Sequence, residues 1–401
     1  MAQNLAQQAA TRWRPESEAE LVEMVRGARS ERRAFEIVGH GTKRGLGRLI
    51  DSDVLLDLSA LSGIVAYEPD ELVLTARAAT PLAEIAAAIA PNRHRIGFDP
   101  ADWSGLYANV LDAGTIGGIL SADACGPARV RYGACRDHLL GFRAVNGFGQ
   151  IYKAGGRVVK NVTGFDLPKL LCGAMGTLGI FTDVTLRLVP CPAAAITLMV
   201  RNADATIGFE LLRAIWSSPL EATGLAFLPQ SAIPAFPELG EVGNGAVLVR
   251  LEGAPDVLED KVRAAYALLR PHEVLGCTQG QEIFQRIGWG AAFANRSLRL
   301  WRVFVPPANA AKCAEASASK FWLADWAGGV IWQEGAEPGE IHALAARFGG
   351  HAVLMRADAP ARRAADMVSP EPPARRALTE RVKAAFDPLA LFNPGRMYDG
   401  I

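Results

Sequence analysis

Apolar and polar positions along this chain follow two different periods. Ser17-Glu18-Ala19-Glu20 reads as a capping box, and Leu21, Met24, Val25 and Ala28 follow it at helical spacing, which predicts an amphipathic helix. Phe35-Glu36-Ile37-Val38 is short, apolar and branched, a strand that runs straight into a glycine-dense loop, Gly39 to Gly47. Further strands are predicted over 54–58, 64–67 and 72–77. A helix is then opened by Thr80 as N-cap and Pro81 at its first position and runs to about residue 90. Strands alternating with helices at this spacing predict an α+β or α/β first half.

The pattern changes at Val189-Pro190-Cys191-Pro192, where prolines end a strand-like run over 183–188. Beyond it, strands are predicted over 246–251 and 298–305, and helices over 256–269 and in the alanine-rich 308–320. Pro370, Pro372 and Pro373 form a stiff stretch before a last helix over 374–386. The expected division is 1–190, 191–385 and a tail, 386–401. No repeat of fixed period is present.

Composition narrows the function classes. The 401 residues are half hydrophobic, so a large core is available, and 42 basic against 42 acidic side chains leave no net charge. A dedicated nucleic-acid binder carries a basic excess, so that class is excluded. The N-terminus has no basic start followed by an apolar core, and the longest apolar run, 170–181, is too short to cross a bilayer; a cytoplasmic chain is expected. Among the six cysteines no two form a CxxC pair, and the histidines lack HxH, HxxxH and HExxH spacing. No metal site is expected, and the thiols read as small buried hydrophobes. Electrons, if the protein handles them, must sit on an organic cofactor.

Three glycine-rich segments could hold one. In the loop after Val38, backbone amides can approach a phosphate closely, with Thr42 and Lys43 as further donors. It is neither a Rossmann fingerprint, since the third glycine falls on Arg44, nor a Walker A loop. Thr115-Ile116-Gly117-Gly118 opens a helix, where paired glycines offer either free amides or close packing. Gly126 to Gly133 follows. The third segment is Gly173-Ala174-Met175-Gly176-Thr177-Leu178-Gly179-Ile180, leading into Val184-Thr185-Leu186.

Taken in this order, the segments resemble the FAD-binding domain of the p-cresol methylhydroxylase (vanillyl-alcohol oxidase) superfamily over about residues 15–190. The tail Phe386-Asp387-Pro388 to Asn393-Pro394-Gly395-Arg396-Met397-Tyr398 is similar to that superfamily's ending. Gly41-Thr42-Lys43, Glu71 to Arg77, Lys160-Asn161-Val162-Thr163-Gly164-Phe165-Asp166-Leu167, Leu300-Trp301-Arg302-Val303 and Gly349-Gly350-His351-Ala352 resemble the E-subunit family of bacterial glycolate oxidases (glycolate dehydrogenases).

The resemblance implies an α+β fold: a two-subdomain FAD-binding domain of the p-cresol methylhydroxylase (PCMH) type, and a cap domain with an antiparallel sheet flanked by helices. It implies that Gly39, His40, Gly41, Thr42 and Lys43 wrap the FAD diphosphate with Gly45 and Gly47 adjoining. Thr115, Ile116, Gly117, Gly118, Ala122, Gly126, Arg131, Tyr132 and Gly133 would line the diphosphate and ring, and Gly179 and Ile180 the adenine or ribityl side. Relatives tether flavin to a histidine that aligns here with Gly41, and His40 stands one position early; non-covalent FAD is expected. The implied reaction is oxidation of a small 2-hydroxy acid, glycolate to glyoxylate, within a complex. A sister FAD subunit and an iron–sulfur subunit would be the partners, and attachment to the inner membrane would be peripheral, through them. The HxGDGNxH metal motif of related D-2-hydroxy-acid dehydrogenases is absent from 191–385, which leaves a second reading open, a non-catalytic flavin subunit for assembly or electron relay. Arg302 and Arg356 are candidate carboxylate binders, and no general base is identified. Trp322, Trp326, Trp289 and Trp332 read as core or interface aromatics or as a flavin-facing pocket, and Arg362, Arg363, Arg375 and Arg376 as a solvated cluster.

Overall fold

Strand β2 (Phe35–Val38) pairs in parallel with β3 (Val54–Asp57), which pairs in turn with β1 (Thr11–Trp13), so that three short strands form the first sheet. These are seen in a computed structural model that describes residues 11–107, 113–156 and 165–400. The family stretch from Lys160 to Gly164 therefore lies outside the described residues. The helix Glu18–Glu31 packs on this sheet through Leu21, Val22, Val25 and Ala28, and Ser17 Oγ accepts the Glu20 amide at 3.2 Å as its N-cap.

A second sheet, antiparallel, has the order β4-β5-β9-β7-β8: β4 (Ile64–Glu68), β5 (Val73–Arg77), β7 (Leu139–Val145), β8 (Ile151–Gly155) and β9 (Ile180–Arg187). A small pair, β6 (His94–Arg95) with β10 (Val189–Pro190), adjoins it. The helix predicted at residue 80 begins at Leu82, with Pro81 as its cap. Thr80 does not cap it, because its hydroxyl donates to the Gly63 and Arg77 carbonyls and accepts the Gly63 amide.

The C-terminal half is built on eight antiparallel strands in the order β14-β11-β13-β12-β16-β17-β15-β18. They are β11 (Ala194–Arg201), β12 (Gly224–Pro229), β13 (Gly245–Gly253), β14 (Val274–Cys277), β15 (Leu300–Phe304), β16 (Trp322–Asp325), β17 (Val330–Glu334) and β18 (His351–Arg356). The sheet is covered on both faces, so β13 is buried from Gly245 through Glu252. Val247, Val249 and Leu251 meet the helices Ala205–Trp216 and Pro255–Leu269, and the helices Ala310–Ala316 and Pro338–Arg347 extend the same core. The alternate residues Ala246 and Leu248 face a core shared with Phe98, Trp103 and Ile119 of the N-terminal half. The architecture is α+β, an antiparallel sheet flanked by helices added to the two N-terminal sheets.

Polar contacts stitch the halves together. The indole N–H groups of Trp103, Trp289 and Trp326 donate across the junction to the carbonyls of Gly288, Pro100 and Gly126 at 3.1, 3.3 and 3.0 Å. Arg250 reaches Asp99 at 2.6 Å. Trp322 and Trp326 do not share a helix face. Trp322 lies in β16 stacked on Phe209, while Trp326 turns to the junction. The alanine-rich 308–320 is helical only over Ala310–Ala316.

Candidate functional site

Between the first two sheets opens a cleft. Its walls come from the β2 end (Ile37, Val38), the loop Gly39–Arg44, the helix Ile116–Ser121 with Thr115 and Ala122, and the segment Met175 to Phe181. Asn393 and Arg396 of the C-terminal tail close it.

The backbone amides of Gly39, His40, Gly41, Thr42 and Lys43 donate to no protein acceptor among the described residues. Five consecutive uncommitted N–H groups make a concavity of partial positive charge. Gly41 adopts φ +71°, a left-handed turn that glycine takes without strain. At the end of the run the Lys43 ammonium is buried without a hydrogen-bond partner among the described residues, and burial pulls its pKa down to about 8 against the opposing charge of Asp102. A buried cation beside free amides is short of an anion.

The second glycine segment behaves differently. The amide of Gly117 donates to Ala78 O at 2.7 Å, that of Ile116 to Thr80 O at 3.0 Å, and that of Gly118 to the capping Thr115 Oγ1 at 3.3 Å. The paired glycines therefore serve close packing: a Cβ on Gly117 would stand 2.7 Å from Ala78 O. They bring the helix near enough for Thr115, Gly118, Ser121 and Ala122 to form the cleft wall.

Of the residues expected from sequence, Gly39, His40, Gly41, Thr42, Lys43, Thr115, Gly117, Gly118, Ala122, Gly179 and Ile180 converge on this cleft. Ile116 is in the core. Gly45 and Gly47 lie behind the loop, where a Cβ on Gly45 would collide with the Tyr107 ring and one on Gly47 would come within 2.9 Å of Arg396 O. Gly126, Arg131 and Tyr132 lie toward the junction with the C-terminal half, and Gly133 packs against Asp137. Gly126 O accepts from Trp326, Arg131 pairs with Glu221 at 2.7 Å, and Tyr132 Oη accepts from Arg95. His40 is exposed, with Nδ1 3.1 Å from Ala113 O.

Sequence reasoning assigned no site role to Asn393, Arg396 and Arg362. Asn393 Oδ1 accepts the Ile37 amide and its Nδ2 donates to Met175 O, tying two cleft walls together at 2.8 and 2.7 Å. Arg362 is not solvated: it donates to Gly47 O and Arg44 O, both at 2.8 Å, and fixes the loop from behind. Neither role leaves a mark in local sequence, although the tail's likeness to a family ending pointed to its return.

Arg302 and Arg356 lie away from the cleft, on β15 and β18. Arg302 is only 4% exposed and makes no hydrogen bond or ion pair among the described residues. Its guanidinium sits 4.8–5.2 Å from the rings of Trp103, Phe304, Trp326 and Trp332, and burial lowers its pKa to about 10. Arg356 is partly committed, donating to Phe293 O at 2.8 Å with Glu334 3.8 Å away. Asp325 is buried near Arg302, and burial raises its pKa to about 7 although its carboxylate accepts the Trp326 amide.

The fold and the cleft define a flavin-nucleotide-binding protein. The FAD binding domain family matches residues 9–155, so FAD is the cofactor, and the free-amide loop and unpaired Lys43 suit its diphosphate. P-cresol methylhydroxylase with substrate bound superposes with a TM-score of 0.71 at 16% identity, covering 97% of this chain and 88% of that one; the fold is of that type. The chain belongs to the family of the glycolate oxidase subunit GlcE. It is 32% identical to that subunit of Escherichia coli (strain K12) over 380 residues, 94% of this chain and 96% of the relative. The glycolate oxidase subunit GlcD of Bacillus subtilis (strain 168) is 26% identical over 172 residues, 42% of this chain and 37% of its own length. Among the described residues no helix is long and apolar enough to cross a membrane.

Proposed function

We propose that this chain is the FAD-carrying subunit of a 2-hydroxy-acid oxidase or dehydrogenase complex that converts glycolate to glyoxylate and passes the electrons to an iron–sulfur partner beside a sister FAD subunit. The complex would be cytoplasmic and peripheral to the inner membrane through those partners. The observation that carries the reading is the run of uncommitted amides from Gly39 to Lys43, with the unpaired Lys43 ammonium at its end. In this reading residues 1–190 form the FAD domain, 191–385 the cap, and 386–401 a tail that returns to the FAD domain.

Bound there, FAD would supply a two-electron acceptor for the substrate C2–H. The chain's own residues supply the rest. Gly39 to Lys43 hold the diphosphate, which stays non-covalent. Arg302 offers an unspent guanidinium to a small carboxylate, and Trp103, Trp326 and Trp332 around it exclude water.

A second reading is favoured by the distance of Arg302 from the cleft lining and by the prior commitment of Arg356. In it the chain holds FAD for assembly or relay while a paralogous subunit oxidises the acid. The test is anaerobic addition of glycolate to the purified flavin-loaded chain. Bleaching of the visible flavin band supports catalysis by this chain. Bleaching only after the sister subunit is added supports the second reading, and a folded preparation that takes up no FAD refutes both.

A further inference from the structure

Residue spacing offers no reason to expect a metal, yet the fold gathers three of the six cysteines around one carboxylate. Asp123, Cys125 and Cys135 present donor atoms that all lie within 4.8 Å of one another. Cys172 joins them, 3.8 Å from Asp123 Oδ1 and in side-chain hydrogen-bond contact with Cys135. We propose that Asp123, Cys125, Cys135 and Cys172 form a binding site for a thiophilic divalent cation, zinc above all, packed directly behind the wall of the flavin cleft.

The donor set and its spacing carry the argument. A tetrahedral zinc with Zn–S of about 2.3 Å and Zn–O of about 2.0 Å holds S and O about 3.5 Å apart and two sulfurs about 3.8 Å apart. Asp123 Oδ1 stands 3.4 Å from Cys125 Sγ and 3.8 Å from Cys172 Sγ, and the Cys125 and Cys135 sulfurs are 3.2 Å apart. These separations lie close to the tetrahedral values.

Two contacts favour anionic sulfur at Cys125, against the burial that pushes the Cys135 thiol up. The Cys135 amide donates to Cys125 Sγ at 3.1 Å, the kind of outer contact that orients a ligating thiolate. Arg129 places one guanidinium nitrogen 3.3 Å from Asp123 Oδ2 and 3.9 Å from Cys125 Sγ. Three thiolates and a carboxylate exceed the charge of a divalent ion by two, and Arg129 offsets one of these. On binding, three S–H bonds break, three metal–sulfur bonds form, and the three protons leave to water. Nothing is oxidised or reduced.

The site's position gives it a role. Asp123 and Cys125 follow directly on Ser121 and Ala122, which line the cleft, and Cys172 precedes the segment from Met175 to Phe181 that forms the facing wall. The Met175 amide already donates to Ser121 O at 2.8 Å, and that of Gly173 to Leu120 O at 2.9 Å. One ion would clamp the same two walls.

The experiment uses the full-length, flavin-loaded protein purified under argon with a phosphine reductant, treated with EDTA, desalted, and offered Zn²⁺ or Co²⁺ alone. The expected result is about one zinc retained per chain by elemental analysis. Co²⁺ should give thiolate-to-metal charge transfer and intense d–d bands in the red, clear of oxidised flavin. Zinc should shield the half-buried Cys172, but not Cys191 or Cys277, from maleimide on the wild-type chain. Asp123→Asn should weaken zinc binding by about 10–100-fold, and Cys125→Ser and Cys135→Ser should weaken it further at unchanged flavin content. No zinc retained by the reduced wild-type chain would overturn the proposal. So would unchanged alkylation, equal uptake by a Cys125→Ser/Cys135→Ser chain, or isolation of Cys125 and Cys135 as a disulfide under the reducing preparation. The wild-type retention and alkylation results decide the matter even where a variant fails to fold.

Discussion

A β-carbon on Gly39 would sit 2.7 Å from Thr115 Oγ1 and 3.3 Å from Thr115 Cγ2. Two segments far apart in sequence therefore touch at the base of the cleft, one the free-amide loop and the other the cap of the helix that faces it. Gly39 does not have a left-handed backbone, so alanine there meets a contact problem alone. Overpacking of this kind costs about 1–3 kcal/mol. Because the loop can relieve it by swinging away, the cost should appear in cofactor affinity, with Gly39→Ala weakening FAD by about 10–100-fold. Fluorescence titration of flavin-free protein measures this. Thr115→Ala removes the obstructing hydroxyl but also the Gly118 cap, so the double variant should bind FAD better than the sum of the single effects predicts.

Lys43 makes flavin binding depend on pH. Burial holds its pKa at about 8 in the flavin-free fold, below the ordinary 10.5. Between these values the unfolded chain carries the proton and the folded one does not, so flavin-free protein should gain stability as pH rises from about 8 toward 10.5. A bound diphosphate favours the charged amine, so above about 8 FAD binding must take up a proton, and affinity should fall as pH rises. Lys43→Met should flatten both slopes and lower affinity at neutral pH. Isothermal titration in buffers of different ionisation enthalpy counts the proton directly, and equal uptake by wild type and Lys43→Met would sink the assignment.

Asp325 carries the opposite sign. Its carboxyl, raised from 3.8 to about 7 by burial, keeps its proton in the folded state where the unfolded chain has lost it. Stability should therefore fall as pH rises from about 4 to about 7 and level off beyond. Asp325→Asn keeps an oxygen for the Trp326 amide and removes the charge. At pH 8 it should melt higher than wild type and be more stable by about 1–4 kcal/mol, and near pH 4 the two should be equal. Thermal denaturation at the two pH values decides.

Arg302 sits in the same region as a cation with four aromatic neighbours and, among the described residues, no ion pair at contact distance. Ring contacts return about 0.5–2 kcal/mol, while burying an unpaired charge costs several. Arg302→Met should therefore raise the melting temperature. If the guanidinium receives the substrate carboxylate, the same variant should raise KM for glycolate strongly in the assembled complex. A lower melting temperature with unchanged KM would make Arg302 a packing residue.

The fold was legible wherever local pattern and tertiary fate agree. Phe35 to Val38 reads as a strand and is one, the helix at Glu18 begins at its cap, and the prolines at 372 and 373 start the helix Pro373–Phe386. Thr80 misled because its hydroxyl serves the Gly63 loop, a partner that no window around it contains. The first cleft loop was legible because free amides need glycine. The second was half legible, since glycine also permits the close approach that Gly117 makes to Ala78. The cysteine cluster was invisible because no familiar metal spacing links Cys125 and Cys135, and Cys172 arrives from a separate segment ahead of β9. Arg362 and Asn393 act from the far end of the chain on the backbone of the loop, and sequence shows nothing of that reach.

The tail gives the last prediction. Lys383 Nζ is buried and donates to Asp387 Oδ2 at 2.7 Å, to Thr177 O at 2.7 Å and to Phe392 O at 3.2 Å. Asp387 in turn accepts the amides of Leu391 and Phe392, which sets the turn that delivers Asn393 to Ile37 and Met175. Removing one partner strands the other charge in a buried place, at a cost of about 3–5 kcal/mol. Lys383→Met should therefore melt markedly lower. Because Asn393 would lose its seat, FAD should also be released below the melting temperature, with proteolysis starting in 387–400. Arg376→Ala, on the same helix but half-exposed and bonded to Glu380 and the Asp399 carbonyl, serves as the control. It should change stability by less than about 1 kcal/mol and leave flavin content intact. If Lys383→Met loses stability while keeping its flavin up to the melting transition, the tail merely braces the fold and does not close the cleft.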